Sequence, residues 1–269
     1  MRGDTLILGL AAGYHYGDVR PFLASLEHTG HTSETVLFTS GTTRDLDRMR
    51  AHRVTIIPYT RPAGLADMPC NGLRYFLYRD YLRALPRPCS RVLITDVRDV
   101  LFQRDPFGHP WPDGLNAMLE DRRATVGSCP FNARWVREHL GADALAAIGG
   151  CPISCSGTTV ADHAAMLDYL DKMTELLDPP TTGECMAGYD QGIHNYLIHT
   201  GRVAAALHDN DGPVLTLAQT RGEPRMDADG RVLNEAGRPA HIVHQYDRKP
   251  SLFQHIRHRF APANRAAVS

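Results

Sequence analysis

Two acidic residues interrupt an otherwise apolar stretch of the chain. Asp96 and Asp99 stand in the run LITDVRDVLF, with an apolar segment on either side. Because successive side chains of a strand point to opposite faces, the two carboxylates can converge only if the chain turns sharply after Asp96. Converging carboxylates repel each other unless a cation lies between them, and Mg²⁺ and Mn²⁺ prefer such oxygen ligands. The spacing fits a divalent-cation site, or else a purely structural arrangement in which Arg98 pairs with a nearby acid and Asp99 caps the next segment.

The segments that lead up to these acids alternate between strand and helix patterns. Apolar runs predict strands over 5–12, 35–39, 54–59 and 91–95, and helical spacing predicts helices over 18–28, 45–52 and 71–85. Such alternation predicts an α/β fold, with a parallel sheet covered by helices on both faces. Ligands bind outside the carboxyl ends of the strands in open sheets of this kind, and Asp96 directly follows the fourth strand. The acids are therefore expected at the binding edge of the sheet.

The second half of the chain has weaker patterns. Residues 106–112 are rich in Pro and Gly and mark a turn region between two halves. Further strands are predicted over 125–128 and 153–156, helices over 162–177 and 251–260, and a hairpin within 226–238. Neither repeats nor low-complexity linkers divide the chain, so a single domain is expected.

Composition and charge limit the classes of function that the chain can have. The chain has 269 residues, with 29 Lys and Arg against 30 Asp and Glu, so charge gives no case for nucleic acid as a partner. No segment has the ~18 consecutive apolar residues that span a bilayer. The early apolar run 6–12 has no signal-peptide cleavage site after it. The six cysteines form no C-x-x-C pair, so we expect reduced thiols in a cytoplasmic protein.

The run around the two acids resembles a known motif. Asp96-Val97-Arg98-Asp99, after an apolar strand and before an Asp-Pro turn, resembles the metal-binding motif of GT-A-fold glycosyltransferases. The most similar group is the glycogenin-like and lipopolysaccharide galactosyltransferase group (family 8-like), in which the motif is usually D-x-D rather than D-x-x-D. The resemblance implies a GT-A-like, Rossmann-like fold with a mixed, mostly parallel sheet. It also implies that the acids hold Mn²⁺ or Mg²⁺, which bridges the diphosphate of a nucleotide-sugar.

The helix before the acids carries arginines where the group has a basic residue that meets the nucleotide or its diphosphate. We prefer Arg74 to Arg79 because the neighbouring Asn71-Gly72 favours a helix start at a binding edge. The alternative is that each arginine belongs to a solvated helix face.

Two later segments resemble the part of the group that surrounds the transferred sugar. Ser156 and Gly157 fit a small-residue strand facing the donor sugar, although Ser-Gly is also an ordinary turn and cap. Asp190 and Gln191 fit an Asp-Gln pair at the start of a late helix. The resemblance implies that Asp190 points off the exposed helix end to accept sugar hydroxyls or to stabilise positive charge, while Gln191 donates toward the leaving group. An Asp at a helix start is also a routine cap.

The segment near residue 244 resembles the C-terminal histidine segment of the group, in which a His completes the metal site and a Lys contacts the diphosphate. His244 follows an apolar pair and is expected at a strand end, and a neutral imidazole beside carboxylates suits Mn²⁺. Arg248 and Lys249 would offset phosphate charge, and His241 is the weaker ligand candidate. The alternative is a basic turn with structural histidines.

These segments together predict a metal-assisted glycosyltransferase that moves a sugar from a nucleotide-sugar, with UDP favoured, to an unidentified glycan, lipid-linked or small-molecule acceptor. The resemblance implies retention of configuration. Residues 5–106 would form the nucleotide-binding half, 107–250 the donor-sugar and acceptor half, and 251–269 a C-terminal helix and tail. Loops at 59–69 or 181–187 would close over the donor and exclude water.

Other functions stay open at this point. The same acids and cation would serve a metal-dependent phosphohydrolase or nucleotidyltransferase, although no D-x-D-x-T follows the first strand. A chain with a decayed acid motif would bind nucleotide or sugar without catalysis. The basic amphipathic end 252–260 could also touch an anionic membrane surface, although a packed helix is expected there.

Overall fold

The protein folds into two sheets surrounded by helices. The computed structural model describes residues 4–178 and 188–261. The strands are β1 (Thr5–Leu10), β2 (Glu34–Thr39), β3 (Thr55–Pro58), β4 (Arg91–Thr95), β5 (Val100–Phe102), β6 (Leu115–Leu119), β7 (Ser154–Ala161), β8 (Ala205–His208), β9 (Val214–Thr216) and β10 (Ile242–His244). The helices are α1 (Tyr16–His28), α2 (Leu46–Arg50), α3 (Cys70–Ala84), α4 (Pro130–Leu140), α5 (Ala142–Ile148), α6 (His163–Leu177), α7 (Tyr189–His199) and α8 (Pro250–Arg259).

The larger sheet contains strands from both halves of the chain. Its order is β3-β2-β1-β4-β7-β6-β8. The strand β7 runs antiparallel to its neighbours β4 and β6, and the other pairs of this sheet are parallel. The prediction of a mixed, mostly parallel sheet is therefore confirmed.

Helices cover both faces of this sheet because its central strands are apolar on both sides. In β1, Leu6 and Leu8 pack into a cluster with residues of α3, α6 and α7, whereas Ile7 packs into a second cluster with residues of α1. This alternation follows from the two-residue period of a strand. The strands and helices predicted for the first half are all present, with ends shifted by one or two residues.

The second half differs from the sequence prediction. The predicted strand over 125–128 is absent, since Thr125 forms only an isolated bridge to Pro152 and the chain then turns into α4. The strand predicted over 153–156 extends to Ala161 and is buried throughout. The sequence does not predict β6 and β8, because their residues, LNAML and AALH, include no β-branched or aromatic side chain that would favour a strand.

The smaller sheet has the order β5-β10-β9, with β5 antiparallel and β9 parallel to β10. The helix α8 packs beside it, with Leu252 and Ile256 buried in a cluster that includes Val243 and Tyr246. The apolar face that the sequence offers for membrane contact is therefore occupied by the protein itself. No helix among the described residues is both long and apolar enough to cross a membrane.

The remaining loop predictions have different outcomes. Two single bridges, Met226 to Val232 and Leu233 to Pro239, close two successive tight turns where one hairpin is predicted. The predicted mobile loop over 59–69 contains a short 3₁₀ turn with a buried Leu65. The other predicted loop, 181–187, lies outside the described residues.

Candidate active site

The three side chains predicted to bind a cation converge. One ligand atom from each of Asp96, Asp99 and His244 lies within 4.8 Å of the other two. The Nε2 atom of His244 is 3.2 Å from Asp96 Oδ2 and 3.9 Å from Asp99 Oδ2. Within residues 4–178 and 188–261, no other group of three His, Cys, Asp or Glu side chains is close enough to hold a metal ion.

The turn after β4 produces this convergence. The strand β4 ends at Thr95, residues 97–99 bend, and β5 then enters the smaller sheet at Val100. Val100 pairs with His244 across the antiparallel β5–β10 ladder, which brings the histidine beside the bend. The sharp turn that the two carboxylates require is thus supplied by a change from one sheet to the other.

A glycine on the neighbouring strand makes room for the cluster. The carbonyl of Gly157 in β7 accepts a hydrogen bond of 2.8 Å from the Asp96 backbone N–H. A Cβ atom on Gly157 would lie 2.2 Å from His244 Cε1 and 2.6 Å from Asp96 Oδ2. Real Cβ atoms do not approach other atoms this closely, so this position tolerates only glycine while Asp96 and His244 stay in place.

The two carboxylates have opposite electrostatic environments. Burial would raise the pKa of Asp96, but the Arg74 guanidinium and His244 outweigh it and hold that pKa well below its usual range. Burial raises the pKa of Asp99 to about 6. The attraction of His244 opposes this rise, and the repulsion of Asp96 adds to it. Burial disfavours protonation of His244, yet Cys155 and the two carboxylates raise its pKa overall. The raised pKa of His244 shows that the carboxylates draw positive charge to this point, which a bound cation would supply in place of the histidine proton.

Arg74 links the acid cluster to the predicted catalytic segment. Its side chain is nearly buried. Its guanidinium forms one ion pair with Asp96 and a second, at 3.0 Å, with Asp190 Oδ2. Arg79 on the same helix instead bonds to Asp80 and Thr174, on the side of α3 that faces α6. Of the two arginines, the structure brings only Arg74 to the acids.

Asp190 lies in the interior rather than at an exposed helix end, contrary to the expectation from sequence. Its side chain is 4% exposed. Besides Arg74, its carboxylate accepts hydrogen bonds from Asn71 Nδ2 at 2.8 Å, Ser156 Oγ at 3.2 Å and Tyr75 OH at 3.3 Å. These donors, from α3 and β7, satisfy the carboxylate and explain why it is buried.

Gln191 is also held by the protein. Its Nε2 amide donates to Asn132 Oδ1 at 3.1 Å and to Glu120 Oε1 at 3.3 Å. The sequence assigns Gln191 a donor role toward the leaving group, but both hydrogens of this amide already have acceptors. The atom that is left for a substrate is Oε1, to which no described residue bonds.

The contacts of the basic residues after β10 and of His241 involve groups other than the acids. The Nζ atom of Lys249 donates to the Thr220 carbonyl at 2.6 Å, and the side chain is largely buried. Arg248 is exposed and lies 3.7 Å from Asp247 Oδ1. His241 Nδ1 lies 2.7 Å from the Asp105 carbonyl, at the other end of β10 from His244. None of these three contacts involves the acid cluster.

A cleft of about 230 Å³ opens beside the acids. It lies at the carboxyl ends of β1 and β4, where a parallel sheet binds its ligands. Its lining combines polar groups from Asn71, Arg74, Asp96, Arg98 and Asp99 with the rings of Tyr14 and Tyr78 and the apolar Leu10 and Val97. A lining that contains both aromatic rings and charged groups suits a ligand with a flat base and a charged group.

Sequence reasoning did not identify Glu120 as part of the site. Glu120 directly follows β6, so it has the same strand-end signal as Asp96, but β6 itself was not predicted. Its side chain is buried, and burial raises its pKa. Cys155 Sγ lies 3.4 Å from His244 Nδ1, where it leaves Nε2 free to face the carboxylates.

Comparison with solved structures identifies the fold of the protein. No protein-family model and no curated protein sequence matches the chain. A structure of the galactosyltransferase LgtC with donor and acceptor sugar analogues matches with a TM-score of 0.56 and 14% identity over 97% of this chain and 98% of that chain. A structure of LgtC with an active-site Gln replaced by Glu matches with a TM-score of 0.54 and 13% identity over 89% and 86%. The protein therefore has the GT-A-like fold of LgtC, as predicted.

Proposed function

We propose that this protein is a glycosyltransferase that transfers a sugar from a nucleotide-sugar, with UDP as the favoured nucleotide, to an acceptor. The observation that carries the proposal is the convergence of Asp96, Asp99 and His244 beside a cleft at the carboxyl ends of β1 and β4. A shared fold alone does not assign an activity. The convergence adds chemistry to the fold, because it provides ligands for a cation at the place where the cleft would hold a diphosphate.

The ligand set suits a divalent cation. Two carboxylates and an imidazole are donors that Mn²⁺ accepts, and Mg²⁺ usually keeps further positions for phosphate oxygens or water. The absence of a side chain at Gly157 leaves the two ligands beside it undisturbed. A bound cation would stabilise the negative charge that develops on the departing diphosphate.

The protein's own residues prepare the sugar side of the site. Arg74 holds the carboxylates of Asp96 and Asp190 on either side of its guanidinium, which fixes both before a substrate arrives. Such preorganised charge contributes strongly to catalysis because no reorganisation is needed during the reaction. The main-chain groups of Ser156 and Gly157 would face the donor sugar, where small residues allow close approach.

The roles of the remaining predicted residues are part of the same proposal. Gln191 would present its Oε1 atom to the carbon that loses the leaving group, which carries partial positive charge. Arg248 and Lys249 follow His244 by four and five residues, and they would offset phosphate charge, as the resemblance implies. Retention of configuration is proposed from the likeness to the family 8-like group, as is the division into halves 5–106 and 107–250.

Nucleotide binding with and without metal tests this proposal. Thermal-shift measurements would compare UDP, GDP, ADP and TDP, each with Mn²⁺, Mg²⁺ or a chelator. A ligand that binds only the folded state raises the melting temperature by mass action. We expect one nucleoside diphosphate, UDP, to stabilise the protein strongly and only when the cation is present. Incubation with the matching nucleotide-sugars should then release the nucleoside diphosphate.

The same experiment separates the alternatives. Phosphate release from simple phosphomonoesters without turnover of nucleotide-sugars would favour a phosphohydrolase. Binding of a nucleoside diphosphate without turnover across many acceptors would favour a binding protein. The absence of stabilisation by any nucleotide with either cation would refute the proposal.

A further inference from the structure

The side-chain amide of Gln191 is held by two acceptors on different elements. Glu120 follows β6 and Asn132 belongs to α4, and their oxygens lie 3.3 and 3.1 Å from Gln191 Nε2. A primary amide has two hydrogens to donate, so these two contacts use its donor capacity completely. The contacts span 71 and 59 positions of the chain, and they exist only because β6, α4 and α7 meet at this point.

The neighbouring side chains determine the orientation of the Gln191 side-chain amide, with its nitrogen toward them and its oxygen away. Glu120 offers Gln191 a carboxylate oxygen, which accepts hydrogen bonds. The Asn132 side chain is itself oriented, because its Nδ2 donates to Cys129 Sγ at 3.3 Å and its Oδ1 therefore faces Gln191. Rotation of the Gln191 amide by 180° would place its oxygen against two acceptor oxygens, which is repulsive.

The main chain at this position is equally constrained. Asn195, one helical turn further along α7, donates from Nδ2 to the Gln191 carbonyl and to the Ser154 carbonyl, both at 2.8 Å. Its Oδ1 accepts from the Ser154 backbone N–H at 2.8 Å. The first turn of α7 is thus attached to β7, and Gln191 keeps freedom in neither its backbone nor its amide.

We propose that Glu120 and Asn132 are positioning residues that hold both N–H groups of the Gln191 carboxamide, so that only its Oε1 is left to meet a substrate. The inference rests on the proposed glycosyl transfer for its catalytic meaning, since the oxygen would then lie ready to stabilise positive charge on the reacting sugar carbon. A carbonyl oxygen held in advance does this without reorganisation. The role reverses the donor function that the sequence assigns to Gln191.

Hydrogen exchange of the side-chain amide tests the positioning without any substrate. In protein labelled with ¹⁵N-glutamine, NMR would compare the side-chain amide of Gln191 with that of the exposed Gln254 on α8. We expect the Gln191 amide to exchange about tenfold more slowly, because hydrogen-bonded amides exchange only after they open. Glu120→Leu and Asn132→Leu should each remove much of this protection, whereas Glu120→Gln keeps an acceptor oxygen and should retain it.

Kinetics test the catalytic consequence. With UDP-glucose and UDP-galactose as donors, Glu120→Leu and Asn132→Leu should lower kcat by about 10- to 100-fold, because a displaced catalytic group loses its alignment. The KM for the donor should change little, and Glu120→Gln should restore most of kcat. Asn116→Leu removes a buried amide from the same strand, β6, but far from Gln191, and should change neither kcat nor the exchange of Gln191.

The outcomes separate this inference from the proposed function. Unchanged Gln191 exchange in folded Glu120→Leu and Asn132→Leu would overturn the positioning role. If a leucine variant does not fold, Asn132→Ala, which is smaller, replaces it in the same comparison. If the wild-type protein turns over no nucleotide-sugar while the amide is protected as expected, the proposed function fails and the positioning of Gln191 stands.

Discussion

Gly157 and His244 are packed so closely that no side chain fits between them. A Cβ atom at Gly157 would lie 2.2 Å from His244 Cε1, and the same atom would lie 2.6 Å from Asp96 Oδ2. The main chain of β7 thus forms one wall of the candidate cation site. Any side chain added at this position must displace one of two predicted ligands.

The first prediction follows from this contact. Gly157→Ala should lower the free energy of unfolding by about 1–3 kcal/mol, because overpacking a buried position forces its neighbours to move. It should also remove the stabilisation that Mn²⁺ gives in the presence of UDP. Urea unfolding and thermal-shift titration measure the two effects.

Gly41→Ala is the matched control for this change. A Cβ atom at Gly41 meets nothing within 4 Å, so the variant should bind Mn²⁺ and UDP as the wild type does. If Gly157→Ala keeps the full metal-dependent shift, His244 and Asp96 do not act together on a cation.

The second prediction concerns the ligands themselves. Asp99→Ala and His244→Ala should each abolish the part of the UDP-induced melting shift that depends on metal, because each removes a ligand from the cation. Asp113→Asn, which alters an exposed carboxylate paired with Arg91, should leave the shift intact. Full metal-dependent stabilisation of both ligand variants would show that the cluster does not hold the metal.

The third prediction concerns Arg74. Arg74→Met removes the guanidinium that pairs with both the Asp96 and the Asp190 carboxylates. The variant should therefore lose about 3 kcal/mol or more of unfolding free energy. Arg79→Met removes partly exposed contacts of the same helix and should cost about 1 kcal/mol or less. Urea unfolding of both variants provides the comparison, and equal losses would contradict the linking role of Arg74.

The fourth prediction is a pH dependence that arises from His194. This side chain is fully buried between Ser154 Oγ at 2.9 Å and Tyr169 OH at 2.7 Å, and burial lowers its pKa to about 3. In the unfolded chain a histidine binds its proton near pH 6.5. Between these values the unfolded state binds more protons, so stability falls as the pH falls, by up to ~1.4 kcal/mol per pH unit.

His194→Asn tests the source of this dependence. The variant keeps a polar side chain at the site but cannot titrate. Its unfolding free energy, measured in urea between pH 7 and pH 5, should fall less with pH than that of the wild type. Parallel curves for the two proteins would show that His194 does not stay neutral in the fold.

Local sequence patterns were sufficient for the first half of the fold. The strands β1 to β4 and helices α1 to α3 have clear periods and ends, so they could be predicted to within one or two residues. The same reasoning placed Asp96 at a strand end and required a sharp turn before Asp99. In the second half, β6 and β8 contain no β-branched or aromatic residue, and the small residues of β7 resemble those of a turn.

The sequence by itself determined an α/β fold and named Asp96, Asp99 and His244 as candidate ligands, because strand and helix periods and strand-end polar residues are local features. Only the tertiary structure decided how these residues meet. Asp96 and His244 are 148 positions apart, and Arg74 and Asp190 are 116 apart. The burial of Asp190, the orientation of the Gln191 amide and the need for glycine at 157 depend on packing between distant strands and helices, which no local period encodes.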